Sequence, residues 1–559
     1  MNNFEWQNHS VTSPNIVKHP SSNRRLGSPL VLGAAGLLLL ASFVWAPLAA
    51  AQNKPFKDLD SFVKWVQSTH KAPFDREGAE LPKGGAQTLK KSQANVALLG
   101  KSTVANTPFK NVQVNQDRNP WPKSEIASAI DPTSGQNYVV MSNDFRMNFD
   151  HQFFHVSTNG GTVWTDDSMV GGAHPSTGFL PGNFQSDPGV SFDSVGHSYL
   201  STISGNLIFD FGNNYFNNDT EIELAPGFAN GTYADLIPTA IDDQQCNGQL
   251  FGPLFTCNAT LDKPLITTDN SGTSTDGTTY VYYTLFCLVS TGCSDGSATS
   301  IPGFSSVILE AHSAGPGLPF SAPALVSGAL SNTQFSSMVI DSSGTPHIFF
   351  DDFTNPQTNM WESTLVGSNW VVSANPVASF TFNGLNNSNW GFRSFGAQAP
   401  GCGIHGNTAY CAFSANQVGT GRLEQTPSVY LAVVHTANGA SSIHRVNNDR
   451  PRNGKDHFFA WATAAPGGAV YVGWYDDRND PFNTKVDYFV GKSTDGGKTF
   501  PKQNAVNDVS FNPCIGFPGC GFFGDYVQLV AGIDGVVHAA WTDTRDGASQ
   551  QIWTQDVKW

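Results

Sequence analysis

From about Val112 to the C-terminus, apolar and polar positions alternate in short runs, and each run is broken by Asp or Gly. A period of two between turn residues predicts short β-strands with one buried face. One unit recurs. An apolar strand enters an Asp or Gly turn, and an aromatic-rich strand follows, often ending in Asp or Asp-x-Arg. The copies are Ile126–Arg146, Asp187–Thr202, Asp262–Leu285, Phe335–Asp352, Phe395–Ser414, Asp456–Arg478 and Asp525–Arg545. The turn residues Asp131, Asp193, Asp269, Asp341 and Asp534 set a period of roughly 60–75 residues, the length of a β-propeller blade with insertions. A small sheet cannot bury both faces alone, so such copies stack around an axis. The expected fold is all-β, a propeller of seven blades. Six is the runner-up, if the weak Phe395 copy is an insertion. The last copy supplies only three strands, so Asn111–Asn115 is expected to add the fourth and close the ring, leaving no free edge.

The first part of the chain reads differently. Residues 1–51 carry Arg24-Arg25, then an uncharged run around Leu37–Leu40, then Ala49-Ala50-Ala51. This is the pattern of a signal peptide, or of an uncleaved anchor, since the run is long enough to span a bilayer. Residues 52–110 are Lys-rich. In Asp58–His70, the residues Phe62, Trp65 and Val66 fall at helical spacing. They predict a short, partly helical extension ahead of a propeller at 111–559.

Composition narrows the function. With 55 Gly, 33 Pro, 12% aromatic and only 13% charged residues, the chain suits many strands and turns rather than helices or disorder. The net charge is −15. Loss of residues 1–51 would remove Lys18, Arg24, Arg25 and Glu5 and make it more negative still. Nucleic acid and anionic membranes are poor partners for such a surface. No membrane contact is expected beyond the N-terminal segment, and a monomer is expected. The eight cysteines form four close pairs: Cys246/Cys257, Cys287/Cys293, Cys402/Cys411 and Cys514/Cys520. Behind an export signal these read as disulfides of a secreted, periplasmic or cell-envelope protein. Zinc is the alternative, but no C-x-x-C or Cys/His cluster has metal spacing.

The innermost strands of a propeller start at one mouth of its channel. Those starts fall near Glu125, Asp187, Asp262, Asp456 and Asp525, with Lys263, His457 and Tyr526 beside three of them. Converging carboxylates repel, which raises some pKa values and yields general acids and bases. Asp187, Asp262, Asp456 and Asp525, with Tyr526, are therefore the catalytic candidates. Glycoside hydrolysis needs two such carboxylates, roughly 5–10 Å apart. The same ring would suit a structural Ca²⁺, or could accept hydrogen bonds between blades without any chemistry. No cofactor is called for. The repeated Asp144/Arg146, Asp476/Arg478 and Asp543/Arg545 pairs read as inter-strand salt bridges, with an arginine cluster for an acidic sugar as the minor alternative. The insertion at Asn206–Thr260 is long enough to form a contact surface.

Two turns carry a family signature. Ser493-Thr494-Asp495-Gly496-Gly497-Lys498-Thr499-Phe500 reads S-x-D-x-G-x-T-F. A degenerate copy runs from Ser157 through Asn159 and Gly161 to Trp164. The acidic or amide side chain can accept the turn's own N–H groups, glycine permits positive φ, and the aromatic anchors the turn. This is the Asp-box pattern, and residues 112–559 resemble the sialidase-like Asp-box β-propeller superfamily of secreted bacterial type. The resemblance implies a propeller directed at extracellular glycans, as an exo-sialidase-like glycosidase or as a non-catalytic glycan- or protein-binding module of the cell envelope. The chain departs from the sialidase pattern. Asp117-Arg118-Asn119-Pro120 stands nearest to the F/Y-R-I-P motif, and the other strand starts carry acids and Lys263 rather than arginines.

Overall fold

A computed structural model describes residues 109–559, except 118–119, 147–149, 169–183, 211–214, 227–238, 249–254, 258, 288–289, 295–299, 316–317, 355–356, 388 and 518–519. The expected leader at 1–51 and the helical extension at 52–110 lie outside it, apart from the last two residues. Among the described residues there is no α-helix. The single helical element is a 3-10 turn at Phe395–Gln398.

The protein is an all-β propeller. The strands fall into seven sheets of four or more strands, plus a two-stranded hairpin at Cys293–Ser294 and Ser300–Ile301. In chain order the innermost strands are Lys123–Ile130, Phe184–Phe192, Ala259–Thr268, Thr333–Ile340, Gly401–His405, His457–Ala464 and Leu529–Ala531. Each touches the next, and the seventh touches the first, so the ring closes. Each of the seven strand–turn–strand repeats supplies the inner hairpin of one sheet. The weak Phe395 copy does so after its 3-10 turn, through Gly401–His405 paired with Thr408–Ala415. Backbone hydrogen bonds between the two ends complete the closure: Val112–Gln113 pairs antiparallel with the last strand, Gln551–Val557, in the seventh sheet.

Local chemistry explains the hairpins. Asp131 accepts Thr133 N (2.7 Å), Asp193 accepts His197 N (2.7 Å), Asp269 accepts Ser271 N (2.8 Å) and Asp341 accepts Ser343 N (2.9 Å). Each aspartate thus satisfies the backbone donors of its own turn. The Asp boxes use the same device on outer hairpins. Ser493 Oγ donates to Asp495 Oδ1 at 2.7 Å, and that oxygen also accepts Lys498 N and Thr499 N at 3.1 and 3.0 Å. In the degenerate copy Asn159 Oδ1 accepts Thr162 N and Val163 N at 3.1 and 2.8 Å, and Gly161 N reaches Ser157 Oγ at 2.8 Å. Trp164 and Phe500 close the two turns in the core.

The core lies between sheets, filled by the aromatics that the repeats place on alternate positions. Tyr475 packs on Phe458 (5.3 Å between centroids) and Phe523 (5.1 Å), and Tyr488 stacks on Trp541 at 5.4 Å. The Asp-x-Arg pairs are structural. In each, the arginine Nε bonds back to its aspartate, at 2.8, 2.7 and 3.0 Å for Arg146, Arg478 and Arg545. Each guanidinium also covers an aromatic ring, Phe153, Phe489 and Trp553 in turn.

Three disulfides join Cys287–Cys293, Cys402–Cys411 and Cys514–Cys520. They suit an oxidising extracellular or periplasmic compartment. Cys246 and Cys257 are register partners on adjacent strands, while their side chains lie outside the described part of the structure.

The two faces of the ring differ. The tight Asp turns and both Asp boxes lie on one face. The long connections, including 382–387, 389–400, 447–456, 506–517 and 520–528, lie on the other, where the inner strands begin. Long loops over a rigid scaffold are where binding residues collect.

Candidate active site at the loop face

Five inner strands share a distortion at their starts. The register shifts at Ser124/Ala127, Ser186/Gly189, Asp262/Leu265, Gln334/Ser336 and Phe458/Trp461. Inside each bulge sits a non-glycine residue with positive φ: Glu125 (55°), Asp187 (56°), Lys263 (55°), Phe335 (58°) and Phe459 (52°). A bulge re-aims the side chain it carries, and a left-handed non-glycine residue is a strained conformation concentrated at functional positions. Here it brings the first three of these residues together.

Lys263 is the centre of the cluster. Its ammonium lies 3.0 Å from Glu125 Oε1, 3.2 Å from Asp187 Oδ1 and 2.8 Å from Asp525 Oδ2. A lysine has three N–H donors, and each has a carboxylate here. The ring that could have suited Ca²⁺ is thus filled by an ammonium. Among the described residues no group of His, Cys, Asp and Glu has metal-binding geometry. Arg393 is the second cation. Its Nε donates to Asp525 Oδ1 at 2.9 Å and its Nη2 to Asp525 Oδ2, while the plane lies 4.8 Å from the Phe522 ring. Asn143 ties the first two sheets: its Nδ2 donates to Glu125 Oε2 at 2.8 Å and its Oδ1 accepts Asp187 N at 2.9 Å.

The acids divide by environment. Burial works to raise Asp187, but the Lys263 ammonium and hydrogen bonds from Glu125 and Asp262 hold it below the usual range. Asp525 is also held low, because Arg393 and Lys263 outweigh its burial. Burial pushes Glu125 well up despite Lys263, and pushes Asp150 well up although Ser186 Oγ donates to it at 2.8 Å. Asp262 is partly buried at the rim of the cluster. Burial, followed by the charge of Asp187, pushes it up to about 7. Gln334 Nε2 donates to its Oδ2 at 2.6 Å.

An aromatic cluster adjoins Gln334, the partner of Asp262. Phe335 follows Gln334 in the chain. Its ring lies 5.4 Å from Phe395 and 6.3 Å from Phe353, and Phe353 lies 5.1 Å from Phe395. Phe395 is 37% exposed. The next residue, Gly396, packs on the connection that enters the seventh inner strand: a Cβ there would meet Asp525 Cβ at 2.6 Å. The loop carrying Arg393 and Phe395 is thereby seated on Asp525.

Of the residues expected from the sequence, Asp187, Asp262, Asp525 and Tyr526 come together. Tyr526 braces rather than faces the mouth. Its hydroxyl donates to Pro188 O at 2.9 Å, its ring lies 5.4 Å from the Lys263 ammonium, and burial raises it well above its ordinary value. Asp456 does not join them. It accepts Asn386 N and Asn387 N at 3.1 and 2.9 Å, ordering the loop that leads to Arg393. The alignment of strand starts misplaced it by three residues, because in the sixth sheet Phe459 occupies the bulge. In the third sheet Lys263, not Asp262, does so. Sequence reasoning missed Arg393, Gln334, Asn143 and Asp150. Arg393 lies outside every repeat, and its one signal is a lone cation in the aromatic stretch Trp390–Phe395.

The opposite face holds a cleft of about 510 Å³ between the third, fourth and fifth sheets, lined by Thr268, Asn270, Met338, Ile340, Asp341 and Ile404 among others. Its carboxylate, Asp341, is engaged in its own turn. The converging acids are at the loop face.

No protein-family model matches the chain, and no curated protein does. Solved structures show distant likeness of fold. Hadza microbial sialidase Hz136 is 13% identical, covering 75% of this chain and 76% of that one, with a TM-score of 0.41. The α-L-arabinanase of Penicillium chrysogenum, complexed with arabinobiose, is 9% identical over 81% of this chain and 98% of that one, with a TM-score of 0.38. Polysaccharide lyase Uly1 is 11% identical over 82% and 94%, with a TM-score of 0.42. All three are carbohydrate-active propellers.

Proposed function

We propose that this protein is an exported glycoside hydrolase that acts on extracellular glycans at the loop face of the channel. The observation that carries the reading is Asp262. It is a partly exposed carboxyl whose pKa is pushed up to about 7 by burial and by its ionised neighbour Asp187, and its partner Gln334 adjoins the Phe335–Phe353–Phe395 cluster. Two acids whose environments push their pKa values apart are the pattern of an assigned proton donor. Aromatic rings next to polar groups are the lining expected of a sugar site. Asp262 would protonate the leaving oxygen. Asp187 shares a hydrogen bond with Asp262, too close for the second carboxylate of a glycosidase. That role falls to Asp525, which meets the Lys263 ammonium at 2.8 Å.

A second reading is a non-catalytic glycan-binding propeller. The full pairing of Asp525 with Lys263 and Arg393 favours it, since a doubly salt-bridged carboxylate is a weak base or nucleophile. Hydrolysis of a panel of aryl glycosides by the exported form, with Asp262→Asn and Asp525→Asn beside it, separates the two. Turnover lost in folded variants supports the hydrolase. A well-folded protein that binds sugar and turns nothing over supports the binding module.

A further inference from the structure

We propose that the glycan site is extended: a polysaccharide chain entering the mouth continues along the 389–395 connection and stacks a more distant sugar on Phe482. This rests on the reading of the mouth as a glycan site and names its substrate class, a polymer rather than a single terminal sugar.

The starting observation is where an aromatic ring has been left. Phe482 is 76% exposed, the most exposed large apolar side chain among the described residues. It sits on the loop face, in the connection between Val470–Asp476 and Asp487–Ser493 of the sixth sheet. The turn that carries it is built without its ring. Asp480 Oδ1 accepts Phe482 N at 3.1 Å, and its Oδ2 accepts Thr484 N and Lys485 N at 2.7 and 2.8 Å. Pro481 fixes the first corner, and Asn483 follows with a φ of 52°, which asparagine tolerates. None of this needs an aromatic at 482. The turn is also clamped from two neighbouring connections. Lys455 Nζ donates to Asp480 O and Asn483 Oδ1, and Asn483 O accepts Asn387 Nδ2 and, at 3.2 Å, Asn389 Nδ2. A ring on a backbone held this way loses little freedom when a ligand covers it, so the contact keeps most of its free energy.

The same bonds join the turn to the mouth. Asn389 starts a run that alternates. Trp390 and Phe392 turn inward, onto Phe458 at 5.6 Å and Phe523 at 5.5 Å. Asn389, Gly391 and Phe395 are exposed, and Arg393 is half-buried. Gly391 N reaches Cys520 Sγ at 3.2 Å, which pins the run to the disulfide-closed loop. Arg393 gives Nε and Nη2 to Asp525, and its Nη1 group has no partner among the described residues. The chain from Asn389 to Arg393 reaches at most about 14 Å, so Phe482 stands a few sugar units from the mouth. Exposed amides on Asn386 and Asn389, guanidinium N–H groups and a phenyl face at either end are the chemistry that takes a sugar chain. Hydroxyls bond to the amides, and the C–H face of a sugar ring stacks on the phenyl. A protein partner would ask for a contiguous apolar patch, whereas polar residues separate these two rings.

The test is calorimetric binding of arabino-, xylo-, galacto- and manno-oligosaccharides and oligogalacturonates, each from monosaccharide to hexasaccharide. The proteins are the full chain and its Phe482→Ala, Phe482→Trp and Phe482→Leu variants. In at least one series affinity should climb with chain length. Phe482→Ala should weaken the longest member roughly three- to tenfold and leave the shortest binder and Tm unchanged. Phe482→Trp should hold the long-chain affinity. Phe482→Leu, apolar but without a ring face, should not. Affinity independent of chain length would overturn the inference, as would a length dependence that survives Phe482→Ala. Turnover is read separately. A long chain bound through Phe482 but never cleaved upholds the extended site and removes the hydrolase. Cleavage with no preference for length, unchanged in Phe482→Ala, does the reverse. A folded protein that binds no member of any series overturns both.

Discussion

Asp262 and Lys263 are neighbours in the chain with opposite roles. Lys263 neutralises three acids from inside a bulge; Asp262, one residue earlier, is left as a weak acid at the rim. If Asp262 is the proton donor, turnover should fall as pH rises through about 7, and Asp262→Asn should lower kcat by roughly 10²–10⁴. Stability tests the same residue independently. Its folded pKa lies above the unfolded value of about 3.9, so the native form holds the extra proton between these values. Its contribution is fully present below about 4 and is lost as pH rises to about 7. Wild type should therefore lose stability relative to Asp262→Asn over that window, measured by denaturant unfolding at successive pH values. Lys263→Met should be far more damaging, by about 3–5 kcal/mol, because it strands buried carboxylates without their cation. Equal unfolding midpoints for Lys263→Met and wild type would refute the central role given to that ammonium.

At the scale of elements, the Asp boxes and the mouth are separate devices. Asp495 fastens an exposed outer turn on the opposite face. Asp495→Ala should cost on the order of 1 kcal/mol and leave sugar binding unchanged, as a melting curve and a titration would show together. The loop closed by Cys514–Cys520 behaves differently. It carries Phe517 against Phe145 and Phe522, and Phe522 lies beneath the Arg393 guanidinium. A bridge across six residues closes a short loop and contributes modestly to global stability. Replacing both cysteines by serine should lower Tm slightly and weaken sugar binding more clearly, since the residues it orders seat Arg393. Unchanged affinity would show that this loop is not part of the site's support.

At the scale of the molecule, ring closure joins residues far apart in the chain. Val112 and Gln113 pair with Thr554 and Trp553, and Asn111 Nδ2 reaches Val506 O at 2.8 Å. Removing Asn111–Asn115 should expose the edge of the seventh sheet, lower Tm and promote association, seen in scattering as well as in melting. The ionic cluster acts on the same scale, because its acids come from the first and second sheets and from the connection entering the seventh, and its lysine from the third.

The sequence by itself determined the strand-and-turn repeats, the Asp turns, the Asp boxes, the closing strand and three of the local cysteine pairs. These depend on neighbouring residues: alternation, turn chemistry and short loop closure all act within one hairpin. It also pointed to the mouth, since repeats that begin alike must converge. The tertiary structure alone decided which residues meet there. A bulge places two residues opposite one, which shifts the register invisibly to any count along the chain, so Lys263 and Phe459 hold the positions that spacing assigned to Asp262 and Asp456. Arg393 and Gln334 reach the cluster from a loop and a neighbouring sheet. Their partners are set by packing around the axis, where residues hundreds of positions apart in the sequence lie within hydrogen-bonding distance.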